Sequence, residues 1–141
     1  MGDIATIKTD LISKITTATG ITPTAWAGEE KAFSGTHPAI YVQWRGAVTQ
    51  ANQEIGAISY VMDTVFVVLV TTEDTATDGD VAAATLLEQC RAALNGVEIA
   101  GIAVANPFTG EYPGQKTESL IDVHAGVYLY GQAWSIEQVI D

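Results

Sequence analysis

The sequence predicts an α+β fold, a two-layer sandwich in which two helices pack on one face of a mainly antiparallel sheet that includes a long β-hairpin. Two segments repeat apolar side chains at helical spacing, and several others are rich in β-branched and aromatic residues. These elements alternate as helix, strands, helix, strands, an order typical of helices segregated to one face of a sheet. The 141 residues fit one domain with one core, residues 1–141.

The first helix is predicted from Asp3 to Thr19, with Asp3 as its N-terminal cap and Gly20 at its end. Its apolar stripe comprises Ile4, Ile7, Leu11, Ile12 and Ile15. The segment from Ile21 to Pro38 contains two prolines and two glycines. We expect a loop there, with one short strand around Thr24 to Ala27.

A long hairpin of two strands is predicted next. In the strand from Ala39 to Arg45, apolar and polar side chains alternate, which indicates one buried face made of Ile40, Val42 and Trp44. A polar linker from Thr49 to Gly56 leads to the run from Ala57 to Thr72, whose apolar centre indicates burial on both faces. The linker has no Asn-Gly or Asp-Gly pair, so the sequence does not fix the register of the hairpin.

The second helix is predicted with Asp80 as its cap and Gly96 as its end. Its expected stripe comprises Val81, Ala84, Leu87, Cys90, Arg91 and Leu94. The short apolar segment from Val97 to Ala105 suits a strand. The segment from Asn106 to Gln115 contains prolines and glycines, so it is expected to be a loop.

Two strands are predicted to close the chain, from Leu120 to Val123 and from Val127 to Val139. The last strand carries apolar side chains on both faces. We therefore expect one face to pack on the helices and the other on a neighbouring subunit. Tyr130 and Trp134 are the first candidates for subunit contacts, because Tyr and Trp are common interface anchors.

The charge balance restricts the partners of the chain. Seventeen acidic and six basic residues give a net charge of −11, which repels phosphate backbones and anionic lipids. The scattered acids form either a solvated surface or a negative face that meets a basic partner. No apolar run approaches the roughly 18 residues of a membrane span, and residues 1–10 lack the pattern of a secretory signal. We expect a cytoplasmic protein with no membrane partner.

No set of residues forms an obvious catalytic or metal site. His37 and His124 lie far apart and have no other ligand at metal spacing. Cys90 falls on a predicted apolar stripe, which favours a buried thiol over a nucleophile, and as the only cysteine it cannot form an intramolecular disulfide. The acids between Glu73 and Asp80 lack the spacing of a calcium loop. We predict no enzyme, metal or cofactor; an enzyme would need these residues to converge in a pocket.

The order of elements and their hydrophobic texture resemble a known family over nearly the whole chain. The features are the helix at 3–19, the strand at 39–44, the long strand at 60–70, the helix at 86–94, a Pro/Gly loop and the strand at 127–134. In these features the chain resembles the small minor tail or tail terminator proteins of long-tailed phages, including Mu-like prophage tail proteins. It departs from them in its strong acidity and its long polar linker.

This resemblance implies a structural virion protein, assembled in the host cytoplasm. Copies would form a homo-oligomeric ring, commonly a hexamer, that caps the head-proximal end of the tail tube and joins it to the neck or connector protein. In contractile tails the ring would also meet the last ring of sheath protein. DNA would only pass through the lumen. A head-tail completion protein and a tail tube subunit are the alternative virion roles.

Six residues are the candidates for subunit interface or lumen in such a ring: Arg45, Gln50, Asn52, Gln53, Tyr130 and Trp134. Three of them belong to the polar linker, which could line a lumen that DNA passes without adhering. The same polarity is also typical of any exposed turn.

Overall fold

The computed structural model describes residues 4–49, 60–108 and 116–140. Three helices and an antiparallel sheet make up this part, so the predicted α+β class is confirmed. The helices are α1 (Ile4–Thr19), α2 (Glu29–Ser34) and α3 (Gly79–Leu94). The strands are β1 (Ala39–Thr49), β2 (Tyr60–Glu73), β3 (Glu98–Ile99), β4 (Ala103–Pro107), β5 (Glu118–His124) and β6 (Val127–Ile140).

The sheet is organised around β6. On one side β6 pairs with β2 along the whole ladder, from Tyr60 opposite Ile140 to Glu73 opposite Val127. On its other side β5 pairs with the first half of β6, and β4 pairs with residues further along. β1 pairs antiparallel with β2, which confirms the predicted hairpin strands. The row β1-β2-β6-β5 therefore has β1 and β5 as its two outer strands.

One face of the sheet is covered by α1 and α3, which together form the main core. α1 buries Ile7, Leu11 and Ile15 of its predicted stripe, and the other two residues, Ile4 and Ile12, pack against the core while partly exposed. The backbone N–H of Gly20 bonds to the carbonyl of Thr16 over 2.9 Å, and Gly20 has φ +75°, so Gly20 ends the helix as expected. The predicted cap Asp3 lies outside the described residues.

The buried stripe of α3 is rotated from the predicted one. The helix buries Gly79, Ala83, Leu87, Cys90 and Leu94, whereas Val81 and Ala84 are exposed. Steps of three residues, such as Val81 to Ala84, fall short of the 3.6 residues of one turn and drift off the buried face. The prediction was therefore wrong for Val81, Ala84 and Arg91, which are exposed, and right for Leu87, Cys90 and Leu94.

The second face of the sheet holds a smaller set of buried side chains, including Val65, Leu69 and Leu129.

Helix α2, which buries Ala32, belongs to the segment expected to be a loop. Its six residues are too few to show a helical repeat. The strand expected around Thr24 to Ala27 is reduced to one bridge between Thr24 and Tyr41.

The strands confirm burial on both faces at the centre of β2, where Val65, Phe66, Val68 and Leu69 are all buried. The single strand expected from Val97 to Ala105 is instead the small hairpin β3–β4. Ala100, Gly101 and Ile102 form its turn, and the first two have positive φ, at +53° and +68°. Among the described helices, none is long and apolar enough to cross a membrane.

Candidate functional site at the two sheet edges

The outer strand β5 exposes three large apolar side chains. Leu120, Ile121 and Val123 are 46%, 45% and 43% exposed. β5 pairs with β6 on one side, and within the described residues no strand pairs with its other side. An apolar strand with one unpaired edge is a surface that another chain can cover by strand pairing.

Local geometry fixes the position of β5 on β6. Ala125 and Gly126 connect the strands, and both have positive φ, at +51° and +79°, as a two-residue hairpin turn of type I′ requires. The register shifts between Leu120 and Asp122, which leaves Ile121 as the extra residue of a bulge. A Cβ at Gly131 would lie 2.9 Å from Cδ1 of Ile121, so the glycine leaves room for that side chain.

A polar network ties the start of β5 to α3. Arg91 forms an ion pair with Glu118, and its Nη1 donates to Oε2 of Glu118 over 2.6 Å. Buried Gln132 donates from Nε2 to the Leu87 carbonyl over 2.9 Å and to Oε2 of Glu118 over 3.1 Å. The indole N–H of Trp134 donates to Oε1 of Gln132 over 2.7 Å. The buried polar atoms of Gln132 are therefore satisfied within the chain.

A groove of about 410 Å³ separates α3 from the β5 edge. Its lining combines apolar and charged residues: Asp80, Val81, Ala84, Leu87, Arg91, Glu118, Ser119 and Tyr130. Exposed Val81 stands on the helical side, and partly buried Tyr130 lies on β6. β5 contributes its polar residues Glu118 and Ser119 to the groove, so the exposed apolar side chains of β5 lie outside this lining.

The opposite edge of the row is β1. Its start is covered, because the backbone N–H of Thr24 donates to the carbonyl of Ile40 over 3.0 Å. Beyond Tyr41, no strand among the described residues pairs with the outer side of β1. The register with β2 shifts between Trp44 and Gly46, so Arg45 is the extra residue of a second bulge. Arg45 is exposed and is the only Lys or Arg in the described strands.

The exposure of Trp44 and Trp134 is the reverse of what the sequence suggested. Trp44, expected in the core, is 46% exposed because it lies on an outer strand beyond the core side chains of β1. Trp134, expected at a subunit contact, is 1% exposed and belongs to the main core of its own chain. Trp134 therefore packs inside the chain and offers no ring to a neighbour in this conformation.

The other candidate residues fall into two groups. Arg45 is exposed on the β1 edge, and Tyr130 lines the groove beside β5. Gln50, Asn52 and Gln53 lie outside the described residues. The apolar residues of β5 were not among the interface candidates that the sequence suggested. A signal was present, because Leu120, Ile121 and Val123 occupy both faces of one short strand.

Of the residues considered for catalysis, His37 and Glu73 line one pocket of about 470 Å³, whereas His124 lines another and Cys90 lines neither. Cys90 is buried in the main core, where burial and, to a lesser degree, the charge of Glu118 raise its pKa to about 12. His37 bonds through its ring nitrogens to Oγ1 of Thr71 and to the carbonyl of Phe33. His124 instead packs its ring against that of Phe33, with centroids 5.9 Å apart. Cys90 is thus an inert packing thiol, as its sequence position suggested.

The acids before α3 organise the start of the helix. Oδ1 of Asp74 accepts a hydrogen bond from the backbone N–H of Gly79 over 2.6 Å, and Oδ2 accepts one from the hydroxyl of Tyr128 over 3.3 Å. The prediction of Asp80 as the cap was wrong: Asp78 is at the N-cap position, and Asp80 lies in the first helical turn, where acidic side chains interact favourably with the helix dipole. The described residues contain no group of three or more potential metal ligands.

Comparison with known proteins gives one family match. The family model described as "Bacteriophage Mu, Gp37" matches residues 3–139, which includes every described helix and all but the last residue of the described sheet. No curated protein matches the chain.

Proposed function

The chain belongs to the bacteriophage Mu Gp37 family, a phage tail-related structural family, and from this premise we propose that it is a tail terminator. In this role, copies form a ring that caps the head-proximal end of the tail tube and joins it to the neck. The ring comprises six copies. Its partners are the tail tube protein, the neck or connector protein and, in a contractile tail, the last sheath ring.

The observation that carries the proposal is the apolar strand β5, whose outer side pairs with no strand in the part of the chain that the structure describes. Exposure of Leu120, Ile121 and Val123 on an unpaired edge does not stabilise a single chain, because such an edge favours aggregation. A closed ring covers that edge in every copy. Rings require two different surfaces on each subunit, and the outer strands β1 and β5 differ in sequence, length and charge.

The charge of the chain is compatible with a ring that DNA crosses. Each copy has a net charge of −11, so a ring of copies repels the phosphate backbone on average. DNA can then pass through the lumen without being retained. The same negative charge opposes association of the copies, so the contacts between them must be specific.

Light scattering coupled to size-exclusion chromatography, with negative-stain imaging of the main peak, tests the proposal. We expect closed rings with a mass six times the 14.9 kDa of one chain. Added to polymerising tail tube protein, these rings should cap the tubes and stop their growth. Long tubes formed by the chain alone would support a tail tube subunit instead. A chain that stays monomeric and leaves tube growth unchanged would contradict the terminator role and leave head-tail completion as the remaining virion role.

A further inference from the structure

We propose that β5 of one copy pairs antiparallel with the uncovered part of β1, after Tyr41, in the next copy, so that the sheet continues from subunit to subunit. The inference rests on the proposed function, because it names the contact that closes the ring. It assigns an interface to Leu120, Asp122 and Val123 on one side, and to Trp44 and Arg45 on the other.

Both strands have the backbone groups that such pairing needs. β5 is hydrogen-bonded to β6 alone among the described strands. β1 is hydrogen-bonded to β2, and its outer side is covered by Thr24 at Ile40 and Tyr41. The uncovered part of β1 extends to Thr49, which is long enough to face the seven residues of β5. Pairing two such edges satisfies N–H and carbonyl groups on both.

Strand direction agrees with this pairing. Neighbours in the row β1-β2-β6-β5 are antiparallel, so β1 and β5 run in opposite directions within one copy. Rotation about an axis roughly along the strands brings the next copy in with its strand directions unchanged. Its β1 then lies antiparallel to β5 of the first copy. Each copy uses one edge of each kind, which is the heterologous contact that a ring requires.

The apolar side chains of the two edges lie on the same face. Trp44 is directly across β2 from Phe66, which faces the helices as part of the main core. On β5, Leu120 is opposite Tyr130, which packs against that same core, and Val123 is opposite Tyr128, two residues away on the same face of β6. In a continuous sheet, Trp44 of one copy therefore lies beside Leu120 and Val123 of the next. Aromatic and β-branched cross-strand neighbours stabilise a sheet.

The charged side chains match on the opposite face. In the β1 bulge, Arg45 adjoins Gly46, which is opposite Val65, and Asp122 is opposite Leu129; Val65 and Leu129 are both buried on the second face of the sheet. Asp122 is exposed, and its carboxylate accepts a hydrogen bond from the backbone of Val123 beside it. Arg45 of one copy thus meets Asp122 of the next. Opposite charges across strands are favourable, and this pair reduces the repulsion between subunits of charge −11.

Substitutions on the two edges test the interface with the full-length chain. Val123→Lys puts a cation in the apolar part of the contact, and Val104→Lys is its matched control, because Val104 is also 43% exposed but lies on β4, away from both edges. We expect Val123→Lys to raise the concentration at which rings dissociate by about 100-fold, and Val104→Lys to leave it unchanged. Circular dichroism and thermal melts must show that both variants fold like the wild type.

A charge exchange provides the second test. Arg45→Glu and Asp122→Arg alone should each weaken the ring by at least about tenfold, and the double variant should recover most of the loss. If Val123→Lys and both charge variants form rings that dissociate at the same concentration as wild-type rings, this interface is overturned while the terminator role stays intact. Wild-type chains that form no ring, alone or on tail tubes, would instead contradict the proposed function itself.

Discussion

The carboxylate of Asp10 accepts a hydrogen bond of 2.7 Å from the backbone N–H of Ala100, which ties α1 to the β3–β4 turn. The ammonium of Lys14 donates to both oxygens of the same carboxylate over 2.9–3.0 Å. Partial burial alone would raise the pKa of Asp10, but the bonds from Ala100 and Lys14 outweigh it, so the pKa is lowered. The charged form of Asp10 therefore stabilises the fold.

We expect Asp10→Asn to lower the free energy of unfolding by about 1–2 kcal/mol at pH 7, because both hydrogen bonds lose their charge assistance. The folded pKa lies below the ordinary value of 3.8, so the stabilisation is full above that value and is lost as the pH falls through the folded pKa. Urea denaturation at pH 7 and pH 3 measures it. The difference in free energy of unfolding between wild type and Asp10→Asn should narrow at pH 3, and a difference as large at pH 3 as at pH 7 would contradict a role for the Asp10 charge.

Gly79 is buried where α3 meets β6, and a Cβ there would overlap the ring of Tyr128. Gly79→Ala should therefore reduce stability by about 1–3 kcal/mol, a cost typical of overpacking. In a Tyr128→Ala background, which lacks the ring, Gly79→Ala should reduce stability much less than it does in the wild type. Thermal melts of the four chains of this cycle give the coupling. Independent effects of the two substitutions would show that the helix start avoids the overlap.

Gln132 is the centre of the buried network between β6, α3 and β5. Gln132→Leu leaves the indole N–H of Trp134, the carbonyl of Leu87 and the Glu118 carboxylate without this partner, so we expect a loss of about 2–4 kcal/mol. In a Trp134→Phe background the loss should be about 1 kcal/mol smaller, because the indole donor is already absent. Urea denaturation measures both, with exposed Gln89→Leu as the control. Equal losses in the two backgrounds would contradict the Gln132–Trp134 bond.

Cys90 should resist modification in the folded chain. A thiol with a pKa of about 12 is ionised in only about one molecule in ten thousand at pH 8, and Cys90 is also buried. We expect a maleimide to label it at the rate of unfolding, and to do so rapidly in urea. The control chain, Cys90→Ala with Val104→Cys, places the thiol on the surface and should react at once. Rapid labelling of Cys90 in the native chain would show that the core around α3 opens easily.

The sequence predicted those elements that depend on local pattern. The buried stripe of α1 follows from a period of 3.6 residues over a long segment. The strands β1 and β2 follow from a period of 2, and the burial of β2 on both faces follows from its long apolar run. Helix α2 and the β3–β4 turn were missed because the helix is only six residues long and the turn uses Ala100 at positive φ, a position where glycine is the usual signal.

The candidate site was less predictable, because exposure in a sheet depends on strand order. Trp44 and Trp134 occupy similar alternating patterns, yet one lies on an outer strand and the other on the central strand β6. That difference arises from pairing between β2 and β6, whose partners Phe66 and Trp134 are far apart in sequence. The exposure of β5 likewise follows from its place at the end of the row, which no local pattern reports.

The 14-residue ladder between β2 and β6 determines how the molecule opens. β6 keeps its hydrogen bonds to β2 when β5 or the β3–β4 hairpin detaches from its other side. We therefore expect amide protons at the centre of this ladder, around Phe66 and Val68, to exchange with solvent only through global unfolding, and those of β5 to exchange through local opening. The strand that we assign to the contact between subunits is thus the one that a single copy can release without losing its core.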